Sequence, residues 1–217
     1  MKAAKIFPIF VTANHQPQSF GASYPITNIQ YPTMYVLASK SPRRQQLLQE
    51  AGLPFRIITQ STDESYDPTL STREIVSYIA AQKAKAVFSQ IEDHETIISA
   101  DTIVCLGSTI FGKPKDEADA FRIIRALSGR VHEVMTGICL LSKEKEHCFV
   151  ESTKVYFGEL TDDQIHYYIQ HYQPFDKAGA YAIQEWIGMV GIEKIEGDYF
   201  NVVGLPVCRL FKELKKF

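Results

Sequence analysis

"VLASKSPRRQQLLQEAGL", residues 36–53, steps from an apolar run into a capped amphipathic segment, and that strand-to-helix step sets the fold class. "YVLA" (35–38) has the character of a buried strand. Ser41 is a good N-cap and Pro42 suits the first helical position. Leu47, Leu48 and Ala51 make an apolar stripe, and Gly52 supplies the stop, so the helix is expected over 41–51. Arg43 and Arg44 run against that helix's own stability. The N-terminal turn carries partial positive charge, and each cation there costs a few tenths of a kcal/mol up to about 1. As surface residues the pair would gain nothing. Beside Ser39 and Ser41, at a helix end that already attracts anions, two forked guanidiniums would instead bind phosphate.

The rest of the chain continues the alternation. "FRIIT" (55–59) reads as a short strand and "QSTDESYDP" as a polar loop. Ser71 with Glu74 forms a capping box that opens a helix to about Ser89. Its stripe of Val76, Ile79, Ala86 and Val87 is interrupted by Lys83. Residues 96–106 form an apolar strand with polar interruptions, and 116–129 an amphipathic helix. "VHEVMTGICLL" and "CFVESTKVYF" read as two long strands joined by the charged turn "SKEKEH". Thr161 with Gln164 caps a further helix, a Gly-rich segment follows Pro174, and a last helix starts at Pro206. The expected fold is mixed α/β, one curved sheet with flanking helices.

A chain of 217 residues is long enough for one sizeable core or two lobes around a cleft. With 45% hydrophobic and 22% charged residues it reads as a soluble cytoplasmic protein. The net charge of −2 excludes a global basic field for nucleic acid, and no apolar run is long enough to span a bilayer. Cys105, Cys139, Cys148 and Cys208 are far apart in sequence and read as reduced residues, neither a disulfide set nor a zinc site. Residues 1–33 lack any apolar period and read as an extension, disordered or loosely packed, ahead of a domain over 34–217.

"GSTIFGKP" (107–114) has the glycine and lysine spacing of a phosphate-binding P-loop. Pro114 stands where that loop needs a magnesium-binding hydroxyl, so the stretch reads as a strand-to-strand turn delivering Lys113. Asp101, inside "IISADTIV", cannot be buried without partners: it either caps a turn or faces a cleft holding a metal or a water. Thr102 could line the same cleft. Lys83 either snorkels past the core or reaches a phosphate, and Asp63 and Glu64 read as solvated loop acids. An arginine pair, two odd lysines and a carboxylate on an apolar strand match what polyphosphate chemistry needs.

"LASKSPRRQQLL", "SADTIV", "GKP", "LSGRVHEVMTG", "DKAGAYAIQ" and "IEGDYFNVVGLP", in this order from about Met34 onward, resemble the successive motifs of the Maf family of nucleoside triphosphate pyrophosphatases. The resemblance implies a two-lobed α/β fold around a central cleft, often dimeric. It implies hydrolysis of a nucleoside triphosphate to the monophosphate and pyrophosphate with Mg2+ or Mn2+, and neither nucleic acid nor membrane as a partner. Asp101 then matches the proton acceptor, or a metal ligand together with Glu64. Arg43, Thr102 and Gln184 match specificity positions, and Lys83 and Lys113 lie near the phosphates, with Ser39, Ser41 and Arg44 beside them. "DKAGAYAIQ" resembles the branch acting on dTTP and UTP. The rival reading is a nucleotide-binding regulator of division that acts through protein contacts.

Overall fold

The strand and helix expected over 35–51 form as β1 (Met34–Leu37) and α1 (Pro42–Glu50) in the computed structural model, which describes residues 34–217. The expectation for residues 1–33 lies outside the described residues. β2 (Phe55–Ile57) pairs in parallel with β1. α2 (Thr72–Val87) opens on a capping box in which Ser71 and Glu74 each accept the other's backbone N–H. β3 (Glu95–Leu106) turns at Gly107, in the left-handed region at φ 59°, into β4 (Thr109–Phe111). That antiparallel hairpin is the strand-to-strand turn expected there in place of a P-loop, and Lys113 follows directly.

α3 (Glu117–Leu127) leads into the long antiparallel pair β5 (Val131–Leu141) and β6 (Glu146–Phe157), and then α4 (Asp162–Tyr172). The segment after Pro174 holds more structure than its glycines suggest. Two 3-10 turns (Pro174–Asp176 and Ala178–Ala180) precede α5 (Trp186–Gly191), β7 (Ile192–Glu196) and α6 (Tyr199–Val203), and α7 (Val207–Leu214) closes the chain. Each of these pieces before α7 is six residues or shorter, too short to show a period.

The described strands form one mixed sheet in the order β2-β1-β3-β5-β6-β7, with β4 hydrogen-bonded to β3. Helices cover both faces. Leu47 and Leu48 of α1 and Leu210 of α7 pack with Leu37, Ile98 and Ile138 on one face. Ala80, Ala84 and Val87 of α2 pack with Val36, Ile97 and Cys139 on the other. α2 lies close against β5 because position 137 is glycine: a Cβ there would stand 2.4 Å from the Val76 carbonyl oxygen. The far halves of the long strands join α3 and α4 in a third group that includes Val104, Ile124, Leu127, Val134 and Ile165.

One edge of β3 is interrupted. β1 pairs with it only as far as Ile98, and β4 only from Val104 to Leu106. Among the described residues, 99–103 therefore meet no strand on that side, while β5 pairs with them on the other. Unpaired backbone groups must find other partners. The gap in the sheet edge, between two separately packed halves, is where the site lies.

Candidate active site

Asp101 stands in the middle of the gap. Adjacent strand residues point to opposite faces, so Asp101 and Thr102 offer a carboxylate to one side and a hydroxyl to the other. Asp101 is buried, and the partner it needs is Lys83 of α2, whose Nζ donates to Oδ1 at 2.6 Å. Lys83 is thus the lysine that broke the apolar stripe, turned toward the gap. The same ammonium pairs with Glu64 Oε1 at 2.9 Å, so a loop acid expected to be merely solvated reaches the site.

On the other face, Thr102 Oγ1 and Thr136 Oγ1 lie 2.9 Å apart, at opposed positions of the β3–β5 register. Above them sits Arg44, the second arginine of the pair, and it is buried. Its Nε donates to the Gly204 carbonyl at 2.8 Å, and Nη1 to the Ala100 carbonyl at 2.8 Å and to Ser39 Oγ at 3.2 Å. Nη2 donates to Thr102 Oγ1 at 2.9 Å. Four N–H donors are committed to the protein, leaving one. Arg44 thus supplies Ala100, at the unpaired edge, with the donor a neighbouring strand would have given. Burial lowers the Arg44 pKa from its usual value, and the negative charge of Asp101 opposes that shift.

Arg43 points elsewhere. It is partly exposed and meets Asp176 at 2.8 Å. Asp176 also accepts from Lys177 at 2.7 Å, and Lys177, itself buried, lies 3.4 Å from Glu185. Partial burial would raise the Asp176 pKa, but the bonds from Lys177 and Arg43 outweigh it and hold the carboxyl at about 2. Sequence reasoning assigned neither Asp176 nor Lys177 a role. The available signal was their position as the only two charges in "PFDKAGAYAI".

All ten sequence-predicted residues line one cleft of about 750 Å3: Ser39, Ser41, Arg43, Arg44, Glu64, Lys83, Asp101, Thr102, Lys113 and Gln184. Lys113 and Gln184 are exposed in it. Ser39 is occupied locally, its Oγ accepting from Ser41 N at 3.2 Å as well as from Arg44. A cleft lined by Arg43, Lys83, Lys113 and Lys177 and holding the buried Asp101 carboxylate suits a polyanion that must be attacked rather than only held.

A family model described as "Maf-like protein" matches residues 34–217. The chain belongs to the Maf family. A dTTP/UTP pyrophosphatase of Bacteroides fragilis is 49% identical over 182 residues, covering 83% of this chain and 94% of that protein. A dTTP/UTP pyrophosphatase of Christiangramia forsetii is 45% identical, with 83% and 92% covered, and one of Bacillus cytotoxicus is 46% identical, with 84% and 95% covered. Among solved structures, a HAM1 protein from Coxiella burnetii superposes over 58% of this chain and 73% of its own at a TM-score of 0.39 and 20% identity, too slight a likeness to carry an argument. No described helix of this Maf-family chain is long and apolar enough to cross a membrane.

A divalent metal suits the donor set. Asp101 and Glu64 present carboxylate oxygens to a single cation, the Lys83 ammonium, so the place already accommodates positive charge between them. Hard oxygen donors of this kind suit Mg2+ or Mn2+, and Mg2+ is commonly held by one or two carboxylates with substrate phosphates completing the shell.

Proposed function

We propose that this chain hydrolyses nucleoside triphosphates, dTTP and UTP above others, to the monophosphate and pyrophosphate. The observation that carries the reading is a buried carboxylate set in a gap of the sheet edge, held by Lys83, in a cleft that Arg43, Lys113 and Lys177 also line, as hydrolysis of a polyphosphate requires. The names of relatives 43–49% identical over most of the chain agree with it.

In this reading Asp101 accepts the proton of the water that attacks the α-phosphorus. Lys83 orients Asp101 through its hydrogen bond, and its second partner, Glu64, completes the acidic end where Asp101 and Glu64 would hold the metal. The metal, when bound, neutralises charge on the triphosphate and on the departing pyrophosphate. Arg43, Lys113 and Lys177 line the phosphate path. The Arg43–Asp176 pair lets go as phosphate replaces the carboxylate, an exchange of one anion for another. Arg44 acts from beneath, holding residues 100 and 102 on either side of Asp101. Gln184, whose carboxamide has no hydrogen bond to the protein among the described contacts, reads the base: one donor and one acceptor complement the N–H and carbonyl of uracil or thymine. The domain is proposed to be residues 34–217.

The test is product analysis over a panel of nucleoside triphosphates with Mg2+ or Mn2+. Pyrophosphate and monophosphate in equal amounts, fastest from dTTP and UTP, support the reading. Orthophosphate with diphosphate would assign a γ-phosphatase, and no product with tight nucleotide binding would assign a regulator.

A further inference from the structure

Cys139 and Cys148 are nine positions apart in sequence, yet the β5–β6 register sets them directly opposite each other on the face covered by α2. Glu146, two residues before Cys148 on the same strand, points to the same face. The sulfurs of Cys139 and Cys148 and a carboxylate oxygen of Glu146 all lie within 4.8 Å of one another. Cys148 Sγ is 3.8 Å from Glu146 Oε1, and Lys85 of α2 meets the same oxygen at 3.2 Å. Lys85 and Lys83 are two residues apart on α2, so they leave the helix about 200° apart. The cluster is therefore separate from the cleft.

We infer that Cys139, Cys148 and Glu146 form a site for a thiophilic divalent cation of the Zn2+ class, distinct from the Asp101 cleft. A zinc–sulfur bond of about 2.3 Å places tetrahedral ligand atoms about 3.8 Å apart, so the three atoms need to close in by at most about 1 Å. Charge supports the assignment. Two thiolates and a carboxylate bring three negative charges, and the dication with Lys85 brings three positive. Access supports it too: Cys139 is sealed beneath α2, but Cys148 is only half-buried and Glu146 is exposed, so a cation reaches the pair from solvent and keeps one position for water. Binding releases the two thiol protons to solvent.

The experiment uses the full chain, reduced and stripped of metal, titrated with Zn2+ against a chromophoric chelator and with Cd2+ read by sulfur-to-metal absorption in the ultraviolet. About one equivalent should bind with a Kd at or below about 1 µM. Cys148→Ser, at the half-buried position, should weaken binding at least about 100-fold, and Cys139→Ala likewise, whereas Cys208→Ser, an exposed thiol on α7, should change nothing. Absence of stoichiometric binding, or binding that survives Cys148→Ser, would overturn the inference. So would a chain that closes a Cys139–Cys148 disulfide, about 2 Da lighter by mass, in place of taking up zinc.

Discussion

Replacing Arg44 separates two roles that the "PRR" motif leaves merged. Arg44→Ala removes the donors to the Gly204 and Ala100 carbonyls and to the Ser39 and Thr102 hydroxyls. The hydroxyls keep other partners, Thr136 for Thr102 and the Ser41 N–H for Ser39. The two carbonyls lose a strong donor in a buried place, at about 1–3 kcal/mol each. Water entering the vacated volume recovers part, so a net loss of about 2–4 kcal/mol is expected. That is a large share of a total stability of about 5–15 kcal/mol. At about 2–4 °C per kcal/mol for a domain of this size, Tm should fall by about 5–15 °C in a calorimetric or circular-dichroism melt. Arg44→Lys keeps the charge but not the fork and should fall nearly as far. Arg43→Ala should barely move Tm, since it breaks one partly exposed ion pair worth about 0–1 kcal/mol, while raising KM for the nucleotide. An Arg44→Ala protein that melts within about 2 °C of the parent and loses only substrate affinity would refute the strut and make Arg44 a phosphate ligand.

Three further outcomes are expected. His132, whose Nε2 lies 2.8 Å from the Tyr181 hydroxyl, is held by burial at about 4 against 6.5 when solvated, so the unfolded chain takes up the proton first. Its contribution is complete above about pH 6.5 and is lost as pH falls toward 4, about 3 kcal/mol in all; urea melts should show that slope, and His132→Phe should flatten it. Gln184→Glu removes the donor opposite a uracil or thymine carbonyl, so kcat/KM for UTP and dTTP should drop about tenfold or more while purine triphosphates lose far less; equal losses on all substrates would remove Gln184 from base reading. Gly137→Ala places a methyl against the Val76 carbonyl and should destabilise by about 1–3 kcal/mol and lower kcat, because α2 carries Lys83; unchanged kcat and Tm would show that α2 shifts freely.

The elements with a clear period were legible: the capped helices α2 and α4, and the long strands β3, β5 and β6, stand where pattern and caps put them. The gap that makes the site was not, because it depends on where β1 stops and on β4, a three-residue strand with no period to read. Arg43 and Arg44 are chemically identical in sequence. Helix geometry turns consecutive residues about 100° apart, which sends one to the cleft mouth and the other into the sheet edge. Lys83 was legible as a flaw in an apolar stripe, but Glu64, on a loop, carried no pattern linking it to Lys83. The cysteines read as far apart because separation was counted along the chain; across a hairpin centred on "SKEKEH", positions 139 and 148 are neighbours.

The central claim is that Asp101 takes a proton from the attacking water. Asp101→Asn preserves shape and hydrogen bonding but removes the base, and it is compared with the parent by steady-state turnover of dTTP and by nucleotide binding on the same preparation. The account predicts kcat lowered by about 10²–10⁴ with the fold intact and nucleotide still bound. Near-normal turnover in Asp101→Asn would contradict it and move the base to Glu64, the other carboxylate on Lys83.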